Sequence, residues 1–408
     1  MPSSVFAAPE PDDADLLVIA EIERLRRDLS HYVGHRPRRW AGHLRRMSLA
    51  RAVRGSNWIE GYRASLDDVL DAIEGEEPID ATAETRLALT GYRDAMTYVL
   101  QLAETEARVD ESLLKSLHFM MTKHDLHARP GLYRQGPVWV EDENGEHVYD
   151  ASDAGLVEPL MAELVQSLYD DDSVPVMFQA AIAHLNLVMI HPFRDGNGRM
   201  ARALQTMVLS GEGIVSPVFS SVEEYLGRNA GDYYAVLSEV GQGSWNPENT
   251  ARPWIRFMLR AHYRQAWTLQ RRIRETEQLY DGIAQLISRY RLPDRATGAL
   301  ADAARGRRLT RSIYSHLVET TDGDPISDLT ASRDLKAMVD ARLLEPRGAG
   351  RGRTYHGAEE LRDLWREIRA ARPPRANDDP YVPQTLPGIT AEAPTSATNP
   401  HKTFNSAP

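Results

Sequence analysis

His191-Pro192-Phe193-Arg194-Asp195-Gly196-Asn197-Gly198-Arg199-Met200-Ala201-Arg202 is the stretch on which the reading of this chain turns. It follows an apolar run ending in Val188, Met189 and Ile190, so His191 is delivered to a loop, and a second helix is predicted to start near Gly198. Gly196, Asn197 and Gly198 form a turn that frees backbone N–H groups, and a helix N-terminus attracts anions through its unpaired N–H groups and its dipole. Arg199 and Arg202 lie three apart on that helix, share a face and can both reach one polyphosphate chain. Asp195 is a carboxylate able to hold Mg²⁺. His191 titrates near neutrality, which suits a proton acceptor, and Phe193 is expected to pack beneath the loop.

Two other nucleotide motifs fit less well. Gly196 to Ala201 spells G-x-G-x-x-A, but a dinucleotide fingerprint needs a strand directly before it, whereas the run Ala180 to Ile190 is long, holds His184 and Asn186, and is separated from the glycines by His191 to Asp195. No G-x-x-x-x-G-K-[ST] segment exists, so a P-loop is absent. His184 reads as a core histidine.

The twelve residues fill every fixed position of H-P-F-x-[DE]-G-N-G-R-x-x-R and so resemble the signature of the Fic family. The resemblance implies a mainly α fold, a Fic-type helical bundle with a β-hairpin flap, and transfer of AMP from Mg-ATP to a Ser, Thr or Tyr hydroxyl of a target protein. It implies that His191 is the catalytic base and that the phosphates lie across Gly196, Asn197 and Gly198, with Met200 and Ala201 in the same nucleotide-binding turn. Asp195 would hold the metal, and Arg199 and Arg202 the outer phosphates.

Ser56-Asn57-Trp58-Ile59-Glu60-Gly61 acquires meaning beside that signature. Ser56, Glu60 and Gly61 match the family's inhibitory pattern [ST]-x-x-x-E-[GN], here N-terminal to the catalytic stretch as in the class II members. The resemblance implies that Glu60 pairs with Arg202. An Arg–carboxylate fork is a charge-assisted bond, and while it stands Arg202 is unavailable to a γ-phosphate. An enzyme at rest follows. In some relatives the same glutamate orients water to remove AMP, which leaves the reverse reaction open.

Val138-Trp139-Val140 and His147-Val148-Tyr149 flank Asn144-Gly145, a type I′ turn pair, and predict a hairpin. It resembles the Fic flap, which lays a protein substrate against the active site by strand pairing; Val138, Trp139, Val140 and Glu141 are the expected contacts to nucleotide and target. Tyr233 and Tyr234 match a Tyr-Tyr pair that lines the nucleotide pocket in the family. The asparagine that some relatives place seven residues further on is replaced by Gly241.

The chain has 408 residues, 42% of them hydrophobic, enough for two or three domains. Its net charge of −11 argues against nucleic-acid binding over the whole surface. With no cysteine it has neither disulfides nor thiolate chemistry, and a cytoplasmic location is expected. No apolar run is long enough for a membrane span. The expected organisation is a disordered segment at 1–14, an N-terminal helical region at 15–110 carrying the inhibitory motif, the catalytic domain at 111–252, closing helices at 253–292, a small winged helix-turn-helix domain at 293–371, and a disordered tail at 372–408. The winged-helix reading rests on helix, helix, strand, Gly-rich turn and strand between Leu309 and Tyr355. Arg305, Arg307, Arg308, Arg311, Arg333, Lys336, Arg351 and Arg353 concentrate there and raise DNA contact, with a nucleotide-sensing regulator as the alternative function; the family resemblance favours partner contact or a homodimer instead.

Overall fold

The computed structural model describes residues 4–34, 39–78, 80–105, 107–141, 146–170, 173–210, 213, 217–373 and 379–382. The chain is mainly helical. It runs α1 (Asp13–Gly34), α2 (Arg39–Ile59), α3 (Leu66–Glu74), α4 (Ala83–Leu102), α5 (Glu111–Thr122), β1 (Trp139–Glu141), β2 (His147–Asp150), α6 (Val157–Ser167), α7 (Val176–Ile190), α8 (Asn197–Ser210), α9 (Pro217–Ser220), α10 (Glu223–Arg228) and α11 (Ala230–Gly241). Then follow α12 (Arg252–Tyr290), α13 (Thr297–Ala304), α14 (Arg311–Asp322), α15 (Asp328–Asp340), β3 (Leu344–Arg347), β4 (Thr354–Gly357) and α16 (Glu359–Ala370).

α7 is mostly apolar from Met177 to Ile190, with His184 and Asn186 themselves buried, and a helix without a solvated polar face is stable only when surrounded. It therefore forms the centre, with α8 packed back along it. The loop between them, which carries the signature, is held at both ends by buried helices. α12 spans 39 residues, roughly 58 Å at 1.5 Å per residue. Its first half, through Trp254, Phe257 and Ala266, closes the central core. Its second half, from Leu269 to Ile287, builds a separate core with α13 to α16.

Several elements differ from expectation. Segment 1–14, predicted to be disordered, is packed from Ser4 onward: Val5 and Phe6 are buried, and Phe6 exchanges two backbone bonds with the Asn186 amide in α7 (2.8 and 2.9 Å). Composition missed this because two apolar residues and one buried amide suffice to anchor the segment. In the tail, Asp379 accepts from Arg260 (3.0 Å) and the Tyr381 hydroxyl donates to Asp15 (2.9 Å). α3 is nucleated by a Ser65/Asp68 capping box, and α13 and α16 were also not anticipated.

The flap strands pair antiparallel, Trp139 with Asp150 and Val140 with Tyr149, with a bulge between Val140 and Glu141. The Asn144-Gly145 turn lies outside the described residues. In the C-terminal part α14, α15 and the antiparallel β3–β4 hairpin occur in the expected order, joined by a bridge from Leu309 to Tyr355. Its arginines do not all face outward. Arg307 is buried and binds Asp71 and Glu74 of α3 and Asp302 of α13; Arg46 of α2 joins Glu74 (2.8 Å) and Asp302 (2.7 Å); Arg308 reaches Asp71 (3.3 Å). Arg305 donates to Thr276 (2.8 Å) and lies over the Trp365 ring. Arg307 and Arg308, grouped with a DNA-facing set, thus clamp the C-terminal part onto α3, and Arg305 turns onto α12 and α16, because each finds a partner that sequence spacing does not reveal.

Candidate active site

His191 ends α7 in the left-handed region, φ 53°, with its N–H bonded to the Leu187 carbonyl (3.0 Å). That turn of the backbone swings the ring off the helix axis. Its Nδ1 lies 3.1 Å from the Val188 carbonyl. A carbonyl can only accept, so Nδ1 carries the proton and Nε2 keeps its lone pair free. Burial lowers the His191 pKa, opposed by the Val188 carbonyl and by Glu60. The ring is neutral at pH 7 and fit to take a proton.

Two residues that the sequence reading passed over hold this loop. Arg134 donates Nε to the His191 carbonyl (2.8 Å) and Nη2 to that of Ile190 (3.2 Å), placing a cation on the unpaired carbonyls at the C-terminus of α7. His118 accepts at Nδ1 from the Gly131 N–H (2.9 Å), so its Nε2–H donates to the Asp195 carbonyl (2.9 Å). Its ring stacks on Phe193 at 3.8 Å between centroids and 5° between planes, and burial pushes its pKa down to about 4. Phe193 packs beneath the loop as anticipated, fully buried. A polar residue inside the apolar stripe Leu114, Leu117, Met121 of α5 was the available signal for His118.

The turn closes through Asn197, whose amide accepts from the Phe193 N–H (2.8 Å) and donates to its carbonyl (2.9 Å). Gly196 has φ +77°, and a Cβ there would stand 3.1 Å from Thr122. Met200 and Ala201 are buried in the core on the far side of α8, supporting the turn from behind.

Arg199 and Arg202 are each 1% exposed. Arg199 donates to Asp195 (3.2 Å) and lies over the Tyr62 ring; its Nε and Nη1, and Nη1 of Arg202, have no hydrogen-bond partner among the described residues. Unpaired buried N–H groups on a cation are costly unless an anion completes them. Arg202 is otherwise engaged by the 56–61 stretch: Nε donates to Ser56 Oγ (2.7 Å), and Nη2 to the Ser56 carbonyl (3.1 Å) and to Glu60 Oε1 (2.7 Å). A Cβ on Gly198 would fall 2.4 Å from Glu60 Oε1, so the Glu60 carboxylate lies directly against the backbone at the start of α8. Burial works against its charge, but Arg202 and Arg199 outweigh that and hold its pKa below the ordinary value. Gly61, φ +86°, lets the chain turn away just after it.

The remaining expectations divide. Trp139 is 51% exposed and stacks on His147, Glu141 accepts from the Trp139 indole N–H (2.7 Å), Val140 packs inward, and the Val138 carbonyl accepts from Ala151 (3.3 Å). β1 pairs only with β2, leaving its outer edge open among the described residues. Tyr233, expected to line a nucleotide pocket, is buried and hydrogen-bonded to the core histidine His184 (3.1 Å), which in turn meets Gln205. The Tyr233 ring packs against those of His184 and Trp254. Tyr234 is 43% exposed and donates to the Ile59 carbonyl (3.3 Å), beside Glu60.

Residues 108–209, which include the flap and the signature, match the profile of the Fic/DOC family. The chain carries a Fic domain. Over 210 residues, 50% of this chain and 45% of the relative, it is 28% identical to the Protein adenylyltransferase Fic of Nematostella vectensis. To the Protein adenylyltransferase fic-1 of Caenorhabditis briggsae it is 35% identical over 100 residues, 24% of this chain and 17% of the relative. The chain covers less than half the length of these relatives. In three dimensions it is similar to a Fic family protein from Desulfovibrio desulfuricans G20, with a TM-score of 0.55 and 21% identity over 86% of this chain and 98% of that one, a likeness in fold.

A divalent ion in this Fic domain would find one exposed carboxylate, Asp195, beside the open turn; among the described residues no group of three or more acidic or histidine side chains forms a metal cage. That donor set suits Mg²⁺, which favours one or two carboxylates plus phosphate oxygens and water.

Proposed function

We propose that the chain is a protein adenylyltransferase, held at rest by Glu60. The observation that carries this reading is the pair of buried arginines at the start of α8, one occupied by Glu60 and both retaining unpaired N–H groups beside a histidine whose Nε2 is free. A carboxylate lying in an anion cradle stands in for a phosphate. With Glu60 withdrawn, Arg199 and Arg202 would hold the outer phosphates of ATP and the Gly196–Gly198 turn the inner ones. Mg²⁺ on Asp195 would neutralise phosphate charge.

In the reaction, Nε2 of His191 accepts the proton of a target Ser, Thr or Tyr hydroxyl. The oxygen attacks the α-phosphorus, the bond from that phosphorus to the bridging oxygen breaks, and pyrophosphate leaves. The imidazolium then releases its proton to solvent. The open edge of β1 supports docking of the target as an added strand, which reads backbone more than side chains.

Incubation with labelled ATP tests the reading. AMP should appear on protein with Glu60→Gly and vanish with Glu60→Gly/His191→Ala. Label that survives loss of His191 refutes its role as base. If instead Glu60 is needed to release AMP from a labelled target, the reverse reaction is the activity.

A further inference from the structure

The face of α2 opposite Ser56 borders a cavity of about 300 Å³, lined by Arg51, Arg54, Trp58 and Leu66 from one side and Glu224 and Arg228 from the other. At 100° per residue Arg51, Arg54 and Trp58 share a helix face, and Ser56 falls on the far one. Its floor is backbone: a Cβ on Gly55 would come 2.3 Å from the Glu223 carbonyl oxygen, and one on Gly227 2.7 Å from the Gly55 Cα, so α2 and α10 touch there without side chains between them.

The cavity is short of negative charge. Three guanidinium groups line it against one carboxylate, Glu224, and Glu224 is already taken by Arg228 (2.7 Å) and by both Nη atoms of Arg272. Arg51 is left with a 3.9 Å approach to Glu224 and a 3.4 Å bond to the Met47 carbonyl. Burial, and next the charge of Arg272, push its pKa down to about 9. Arg54 and Arg63 flank the Trp58 ring at 5.0 and 4.1 Å, making one wall both aromatic and cationic. Partly buried guanidinium without an anion is unfavourable, and its planar fork matches phosphate.

We propose that this cavity is a second anion site, separate from the 191–202 loop, for a phosphorylated small molecule: phosphate between Arg51 and Arg228, organic part against Trp58 and Leu66. The size suits such a ligand. None of the lining residues belongs to the Fic loop, so the site stands or falls independently of the transferase reading.

Calorimetric titration of the full chain with ribose 5-phosphate, at fixed ionic strength, tests it, with inorganic phosphate as the second probe and Trp58 emission read as the difference from Trp58→Phe. Saturable binding with a change in Trp58 emission is expected, weakened about tenfold or more in Arg51→Gln/Arg228→Gln and unchanged in Arg199→Gln. Arg54→Gln/Arg228→Gln serves if the first pair does not fold. No saturable binding, binding that Arg199→Gln removes and the cavity variants leave intact, or an effect matched by adding chloride would each overturn the proposal.

Discussion

Removing Glu60 should convert one contact into two measurable changes. The pair joins a guanidinium 1% exposed to a carboxylate 19% exposed at 2.7 Å. Exposed pairs contribute roughly 0.2–1 kcal/mol, and breaking a buried pair costs about 3–5 kcal/mol; an intermediate of about 2–3 kcal/mol fits this half-covered geometry. At about 1.4 kcal/mol per tenfold, Glu60→Gly should favour a phosphate on Arg202 by roughly 30- to 150-fold. The initial rate of AMP incorporation below ATP saturation should rise by that order. The same energy should be missing from the nucleotide-free protein, since Arg202 then keeps only its two bonds to Ser56, and ATP should restore it. Thermal melts with and without ATP therefore provide a second reading of the same number. Glu60→Gln, which keeps the size and removes the charge, should give most of the effect. A double-mutant cycle with Arg202→Lys isolates the pair. If Glu60→Gly labels no faster than the parent and gains no extra stabilisation from ATP, the argument that Glu60 and phosphate compete for Arg202 is wrong.

The lowered pKa of His191 keeps it unprotonated into mildly acidic solution; for a base the active form lies above the pKa, so the acid limb of kcat/KM in Glu60→Gly should fall below pH 6.5. His118→Ala deletes a bond to the Asp195 carbonyl and a stacked ring, and should cost about 2–4 kcal/mol in denaturant unfolding while raising KM for ATP more than it lowers kcat; an unchanged KM would deny His118 its place in setting the loop. Glu223 is buried, and burial pushes its pKa up to about 7 despite Arg202. An acid whose folded pKa is raised binds its proton more tightly when folded, so its contribution is full below the unfolded value near 4.5 and is lost as pH rises towards 7, by about 3 kcal/mol. Glu223→Gln should flatten that slope and be the more stable protein at pH 8, measured as midpoint against pH.

The helical class, the β1–β2 hairpin and the glycine turn were legible because each is local. The apolar run ending at Ile190, the strand–turn–strand pattern around Asn144 and Gly145, and the glycines at 196 and 198 express constraints within a few residues of chain. The partners of Glu60 were legible only through resemblance, since 142 residues separate it from Arg202. α3 and α16 escaped although Leu66, Val69, Leu70 and Ile73, and Leu361, Leu364, Trp365 and Ile368, repeat at helical spacing; only α13, eight alanine-rich residues, carries little periodic signal and is held by packing. The burial of Tyr233 was not legible for a related reason: two adjacent tyrosines on a helix point about 100° apart, and which one faces the core depends on His184 and Trp254, which come from other helices.

Sequence alone determined the chemistry on offer, a base, a carboxylate, a glycine turn and two arginines in one loop, because those groups are consecutive and their spacing sets a common face. Tertiary structure decided how each is used: that Val188 fixes the His191 tautomer, that His118 and Arg134 brace the loop, that Glu60 lies in the cradle, and that Arg305, Arg307 and Arg308 face inward. Charge and hydrogen bonding act through space over a few ångströms, and which groups meet at that range is settled only when distant helices pack.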